Sequence, residues 1–303
     1  MTEPALALLD FDAAGRAVGH HLADVTQPHL SVLDLAATRG DGVFETISLA
    51  NGHLQALEPH LARFAHSAAM LDLPAPDPEA WRAAIRAVAA LVVDADGAPV
   101  DEGFVKIVMS RGVEGGSGSL DPRALVPTGW VLGAVAPDHG AARRDGIRIV
   151  LLDRGYRHDI AQTAPWLLTG AKTLSYAINR GVFREAARRG ADDALFVSTD
   201  GFLLEGAVSN LVLRRGQTLR TPRTDLGILA GTTQVDMFAW AESVGYATEY
   251  ALLTPQDLEE ADAVWLVSSG RHAAPVRAID GRERPVDAEL TARVNAALHA
   301  RTH

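Results

Sequence analysis

Cysteine is absent from this 303-residue chain. That excludes a disulfide framework, a thiolate nucleophile and any cysteine-based zinc or iron–sulfur site, and it fits a reducing cytoplasm as the expected location. Long apolar runs are also missing. The most apolar stretch, Ala83 to Val93, is interrupted by Arg86 and falls well short of the roughly 20 residues a spanning helix needs, so no membrane partner is expected. Met1-Thr2-Glu3-Pro4 shows no basic region followed by an apolar core, and a secretory signal is not expected. A basic excess is lacking too: 38 acidic residues face 28 basic ones, for a net charge of −10. Such a chain has no general attraction for phosphate backbones, which argues against nucleic acid, and any anion must be held by a local site.

Lysine is the next shortage. Only Lys106 and Lys172 are lysines, the other 26 basic residues being arginine. A chain that uses arginine almost wherever it needs a cation makes each lysine a candidate for chemistry that only a primary amine performs. Schiff-base formation is such chemistry, because a lysine amine can lose its proton and a guanidinium cannot. A chance surface lysine is the competing reading at either position.

What is present is an ordinary globular composition, 48% hydrophobic and 22% charged, long enough for one or two domains. Asn51-Gly52 between the strand-like runs 43–50 and 53–57 predicts a hairpin, since both turn positions need positive φ. Pro59 at a first helical position, then Leu61, Phe64, Ala68 and Leu71, predict one helix. Trp81, Ile85, Val88 and Val92 mark the buried side of a second over 78–93. Strands at 103–110 and 129–136 flank the glycine-rich loop Arg111 to Gly118. The polar, turn-rich stretch 137–142 reads as a linker between an N-terminal α+β domain, 1–136, and a C-terminal domain, 143–303. In the second region strands are expected at 147–152, 194–198, 202–205, 209–214, 246–252 and 263–268. Helices are expected over 174–189, closed by Gly190, from Leu229-Ala-Gly-Thr-Thr233 to about Gly245, and from Asp287 onward.

Most standard motifs fail. No metal-protease histidine pair, phosphate-binding glycine loop or nucleophile elbow occurs, and the 11 histidines show no ligand spacing, so no metal is expected. Gly40-Asp-Gly42 begins like a dinucleotide fingerprint but lacks its third glycine. Three features remain and fit one another. Lys172 precedes a helix, in a stretch bearing Trp166 and Tyr176, where burial can lower an amine pKa. Glu205 ends a short strand. Gly231, Thr232 and Thr233 open a helix, whose first N–H groups suit a phosphate. Amine, carboxylate and anion cradle are the three contacts that pyridoxal 5'-phosphate requires. Taken singly, each has a plain reading as surface lysine, solvated glutamate or helix cap.

Seven segments resemble the class IV aminotransferases of pyridoxal-phosphate fold type IV: Arg39-Gly-Asp-Gly-Val-Phe-Glu-Thr46, His60-Leu-Ala-Arg-Phe64, Lys106-Ile-Val-Met-Ser-Arg-Gly112, Lys172-Thr-Leu-Ser-Tyr-Ala-Ile-Asn179, Asp200-Gly-Phe-Leu-Leu-Glu-Gly-Ala-Val-Ser-Asn-Leu211, Gly227-Ile-Leu-Ala-Gly-Thr-Thr233 and Leu266-Val-Ser-Ser-Gly270. They stand in family order. The resemblance implies an α+β, two-domain fold, with a smaller N-terminal α/β domain and a larger C-terminal pseudo-barrel domain carrying the Schiff-base lysine. It implies Lys172 as that lysine and proton shuttle, and Glu205 as partner of the pyridine nitrogen. Arg63, Gly231, Thr232, Thr233 and Ser269 fall to the phosphate, and Tyr176 to the phenolic oxygen, although the family tyrosine stands one position later. It also implies a homodimer with active sites at the subunit interface.

The branched-chain subgroup fits poorly, its aromatic and arginine pattern being absent from the first domain. The loop after Arg111 lacks the Arg-x-His carboxylate trap of D-amino-acid transaminases and looks more like that of aminodeoxychorismate lyases. Arg39 keeps transamination in view: it stands before a segment that borders the family's active site, with Phe44 on the substrate side, and a planar guanidinium suits a carboxylate. A structural ion pair is the other reading of Arg39. The expectation is a transaminase moving the amino group of D-amino acids, and of (R)-amines, to a 2-oxo acid. The alternative is a 4-amino-4-deoxychorismate lyase releasing pyruvate and 4-aminobenzoate.

Overall fold

The computed structural model describes residues 3–115 and 126–302. The chain forms two compact units: Met1–Pro137 with Ala171–Tyr176 and Arg301–His303, and Asp138–Gly170 with Ala177–Ala300. The glycine-rich loop singled out in the sequence runs beyond the described residues from 116 onward.

The first unit is an antiparallel six-stranded sheet in the order β2-β1-β6-β5-β3-β4. Its elements are β1 (Ala5–Phe11), β2 (Ala17–Ala23), the short α1 (Leu35–Thr38), β3 (Gly42–Ala50), β4 (His53–Leu54), α2 (Leu57–Met70), α3 (Pro78–Ala89), β5 (Glu102–Ser110) and β6 (Thr128–Val135). The β3–β4 turn is made by Asn51 and Gly52, both at positive φ. Alternation sends Val43, Ile47, Val105, Ile107 and Val131 to one face, all at or near zero exposure. Leu61, Phe64 and Ala68 of α2 and Trp81, Ile85 and Val88 of α3 are buried as well, Phe64 and Trp81 meeting edge to face at 4.9 Å. Burying each large side chain contributes about 1.5–3 kcal/mol. Asp77 caps α3 by accepting from the Glu79 and Ala80 amides. The helix stops at Ala89, four residues short of the expected end.

Residues 171–176, which the sequence reading assigns to the C-terminal domain, belong to this first unit. The reason is an edge left open on β3. Its far end pairs with β4 only at Leu49 and Ala50, so the groups near Gly42 need other partners. The Phe44 amide donates to the Lys172 carbonyl at 3.0 Å, the Leu174 amide to the Gly42 carbonyl at 2.8 Å, and Val43 bridges Thr173.

The second unit is built on a nine-stranded mixed sheet, β12-β11-β10-β13-β14-β7-β8-β9, with β15 beside β14. Its strands are β7 (Ile147–Asp153), β8 (Asp193–Val197), β9 (Leu203–Gly206), β10 (Asn210–Arg215), β11 (Thr218–Pro222), β12 (Ala247–Ala251), β13 (Ala263–Ser268), β14 (His272–Ile279) and β15 (Arg282–Glu283). The sheet curls, for the Leu203 amide of β9 donates to the Leu253 carbonyl, just past β12 at the opposite end of the order. Its helices are α4 (Gly140–Asp145), α5 (Ile160–Thr163), α6 (Ala177–Arg188), α7 (Thr232–Ser243), α8 (Pro255–Glu259) and α9 (Ala288–His299). α4 occupies the end of the expected linker. The Asp138 carboxylate accepts from the Gly140 amide, and Arg143 and Arg144 sit at the helix's negative end. α6 begins three residues later than expected because Lys172 to Leu174 are committed to β3. No helix of the described residues is long and apolar enough to cross a membrane.

Candidate active site

Within the first unit the structure gathers Phe44, Lys172 and Tyr176. The Lys172 amide donates to the Ser67 hydroxyl on α2 at 3.1 Å, so the segment is tied on one side to β3 and on the other to α2. The Lys172 Nζ then stands 4.5 Å from the centroid of the Phe44 ring, and Tyr176 meets that ring edge-on at 5.3 Å. Phe44 is buried and Lys172 half-buried. A cation over an aromatic face is held at low conformational cost.

The two glycines of Arg39-Gly-Asp-Gly42 exist for this docking. A Cβ on Gly42 would lie 2.6 Å from the Met109 carbonyl oxygen and 2.7 Å from the Leu174 side chain, and Gly40, at φ +66°, has Ser175 against it at 3.1 Å. Between them the Asp41 carboxylate accepts from the Arg111 Nε at 2.7 Å. The same guanidinium donates to the Leu71 and Asp72 carbonyls at the end of α2. Arg39 itself is exposed at the C-cap of α1; among the described residues its side chain makes one weak bond, to the Thr38 carbonyl at 3.4 Å, and no ion pair.

Behind Phe44, on the helix-facing side of β3, lies a group the sequence reading did not assemble. Glu45 is fully buried and takes Arg63 in a two-point contact, Nε to Oε1 at 2.6 Å and Nη2 to Oε2 at 2.7 Å. His60 Nδ1 lies 2.8 Å from the same carboxylate and, since a carboxylate only accepts, must carry the proton. Burial alone would push the Glu45 carboxyl up, but the Arg63 charge and hydrogen bonds, aided by His60, hold it at about 2. His60 is pushed down, chiefly by burial, and stays neutral. The pattern was present as His60 and Arg63 one helical turn apart; their common partner on β3 was not visible. Glu45 thus engages the Nε/Nη2 edge of Arg63.

Within the second unit Glu205, on β9, accepts from the Leu229 amide at 3.1 Å through Oε2. Gly231 is the N-cap of α7 and carries no side chain to close the first turn. A Cβ there would fall 1.8 Å from Asn210 Oδ1, whose Nδ2 in turn donates to the Leu229 carbonyl at 2.8 Å. Thr232 and Thr233 follow, both buried, with Thr233 Oγ1 3.3 Å from the Ser269 hydroxyl in the β13–β14 turn. A helix start with two threonines and a facing serine is a donor set for a phosphate. The carboxylate braced by an amide suits a protonated ring nitrogen. Carboxylate, hydroxyls and helix start thus fit pyridoxal phosphate, as do the amine and aromatic rings of the first unit. No group of three or more His, Asp or Glu among the described residues could hold a metal ion.

The other lysine the sequence offered as a candidate, Lys106, stands on the same face as Phe44. Lys106, opposite Thr46 in the β3–β5 register, places its Nζ 5.0 Å from the centroid of the same Phe44 ring. The lysine count was the available signal.

A family model described as amino-transferase class IV matches residues 42–279. A bifunctional aminodeoxychorismate lyase / D-amino acid transaminase of Mycobacterium tuberculosis is 42% identical over 273 residues, 86% of this chain and 91% of that protein. Among solved structures, a fold IV-transaminase, CpuTA1, from Curtobacterium pusillum superposes with a TM-score of 0.91 at 51% identity, covering 99% of this chain and 100% of that one. A hypothetical aminotransferase from Mycobacterium tuberculosis in its pyridoxal-phosphate-bound form gives 0.86 at 39% identity, over 98% and 99%.

Proposed function

Because the chain belongs to the class IV aminotransferase family, enzymes that depend on pyridoxal phosphate and adopt fold type IV, we propose that it is a transaminase moving the amino group of D-amino acids and (R)-amines to a 2-oxo acid. The observation that carries this reading is the whole-chain likeness, at 51% identity, to a fold IV-transaminase.

Pyridoxal phosphate supplies an aldehyde that condenses with primary amines and a ring that withdraws electrons from the carbon beside them. In this reading Lys172 would hold the cofactor through its amine, and its Nζ would take and return the proton at the substrate carbon. Phe44 fixes where that Nζ stands. Glu205, braced by the Leu229 amide, would keep the ring nitrogen protonated. Arg63, Gly231, Thr232, Thr233 and Ser269 would hold the phosphate, Tyr176 would bond the phenolic oxygen, and Arg39 and Phe44 would lie on the substrate side. The working form is a homodimer.

Lyase activity on aminodeoxychorismate is the second reading, favoured by the bifunctional relative and by a loop after Arg111 without the Arg-x-His trap. D-alanine, an (R)-arylalkylamine and aminodeoxychorismate, each added alone to the yellow holoenzyme, separate the two. Loss of the aldehyde-form absorbance with either amine is the expected result. Reaction of aminodeoxychorismate alone, with 4-aminobenzoate formed, overturns the transaminase reading in favour of the lyase.

A further inference from the structure

The turn that carries Ser269 is held from three sides through the residue two places on. Strands β13 and β14 last pair at Ser268 and His272, so Ser269, Gly270 and Arg271 alone make the connection. The backbone and side chain of Arg271 go to three different elements. Its amide donates to the Ser268 hydroxyl of β13 at 3.3 Å, its carbonyl accepts from Arg143 Nε of α4 at 3.1 Å, and its Nη2 donates to Asp193 Oδ2 at the head of β8. Asp193 is itself fixed, its Oδ1 accepting from the Ala194 amide at 2.8 Å. The next residue, His272, is buried at a φ of +55°, a left-handed conformation that a side chain keeps only where its surroundings impose it.

Stability does not explain the ion pair. The Asp193 side chain has no exposure and that of Arg271 14%, and the buried Arg271 Nε donates to nothing among the described residues. Two desolvated charges with a donor left over are often no more stabilising than an apolar pair of the same volume, and the best-attested use of such a pair is to fix register. What is fixed here is the turn, whose Ser269 hydroxyl lies 3.3 Å from Thr233 Oγ1 in the first turn of α7. We propose that Asp193 and Arg271 are positioning residues for the cofactor phosphate. Clamped to β8, Arg271 holds the turn so that the Ser269 hydroxyl faces the start of α7, and Arg271 touches no ligand itself. This deepens the reading of the phosphate cradle and rests on the assignment of Ser269 to it.

The test titrates the full-length chain, freed of cofactor, with pyridoxal phosphate and with pyridoxal, which has the same ring and aldehyde but no phosphate. The variants are Arg271→Met, Asp193→Asn, Ser269→Ala and the double variant Arg271→Met/Ser269→Ala. Arg271→Met and Asp193→Asn each raise the Kd for pyridoxal phosphate about tenfold, the worth of a hydrogen bond to a charged group, and leave that for pyridoxal unchanged. Because Arg271 acts through Ser269, the double variant binds pyridoxal phosphate no more weakly than Ser269→Ala alone. Equal weakening for both ligands, the mark of general damage to the fold, overturns the proposal. Additive loss in the double variant also overturns it, by making Arg271 a contact in its own right. If Arg271→Met does not fold, the isosteric Asp193→Asn, alone and combined with Ser269→Ala, decides in its place. An unchanged Kd in Ser269→Ala removes the assignment of Ser269 to the phosphate and the proposal with it. Weaker binding in Ser269→Ala with none in Arg271→Met or Asp193→Asn removes the proposal alone.

Discussion

The Phe44 amide donates to the Lys172 carbonyl at 3.0 Å, and the Phe44 ring then lies 4.5 Å beneath the Lys172 ammonium. One residue of β3 therefore fixes both the backbone and the reacting end of the lysine. Phe44→Ala should lower kcat by on the order of tenfold or more through misplacement of Nζ and should destabilise the fold by about 3–5 kcal/mol, as for other buried phenylalanines. Phe44→Tyr, which keeps the ring, should retain most of both. Steady-state kinetics at a temperature where both variants are folded decides it; full turnover by Phe44→Ala would refute the role of the ring.

Gly42→Ala should be far more damaging than its single methyl suggests. The added carbon meets the Met109 carbonyl and the Ser110 Cα within 3 Å, both backbone, as well as Leu174. The 171–176 segment must move off β3, and Lys172 with it. Gly97→Ala is the control: its φ of +80° is strained for a side chain, as that of Gly42 is not, but nothing lies within 4 Å of the new carbon, so the cost is about 1 kcal/mol and activity is kept. Thermal midpoints and kcat of the pair test this, and equal kinetics in both variants would contradict it.

Acid should destabilise the protein in two stages. His60 is held below 6.5 by burial, so the unfolded chain binds a proton that the folded one refuses, and stability declines as pH drops below that value. The Glu45 carboxyl lies at about 2 when folded against an ordinary 4.5. Its contribution is complete above the unfolded value and is lost as pH falls through the folded one, roughly 3 kcal/mol in all. Urea midpoints from pH 7.5 to 4 should fall, and His60→Gln should flatten the first decline. A native midpoint constant over that range would speak against the buried triad.

Much of this site was legible in the chain and part was not, for physical reasons. Asn51-Gly52 and the helical spacing of Leu61, Phe64 and Ala68 are local signals, and both elements are where those signals put them. Lys172, Glu205 and Thr232 were singled out because their chemistry is carried by residue type. The strands β1, β2, β11 and β14 escaped: β1 reads as a nearly continuous apolar run, β2 is an edge strand interrupted by Gly19 and two histidines, and β11 ends at Pro222. Pairings such as Phe44 with Lys172, or Glu45 with Arg63, join residues far apart in sequence, and one chain contains no record of them.

Glu205→Gln should leave the cofactor bound, because Lys172 and the phosphate contacts are untouched, while turnover falls by on the order of a hundredfold as the charge facing the ring nitrogen is removed. Retained visible absorbance with lost turnover is the expected pair of readings. Loss of cofactor with normal turnover on reconstitution would assign Glu205 to retention alone.

The most direct test of the central claim uses the shortage of lysine. Borohydride reduction of the holoenzyme fixes the cofactor permanently to the amine that carries it, and peptide mass spectrometry then locates it. With two lysines in the chain the internal site is a choice between them. The account predicts the pyridoxyl mass on the peptide containing Lys172 and an unmodified Lys106; the mass on Lys106, or on neither, would contradict it.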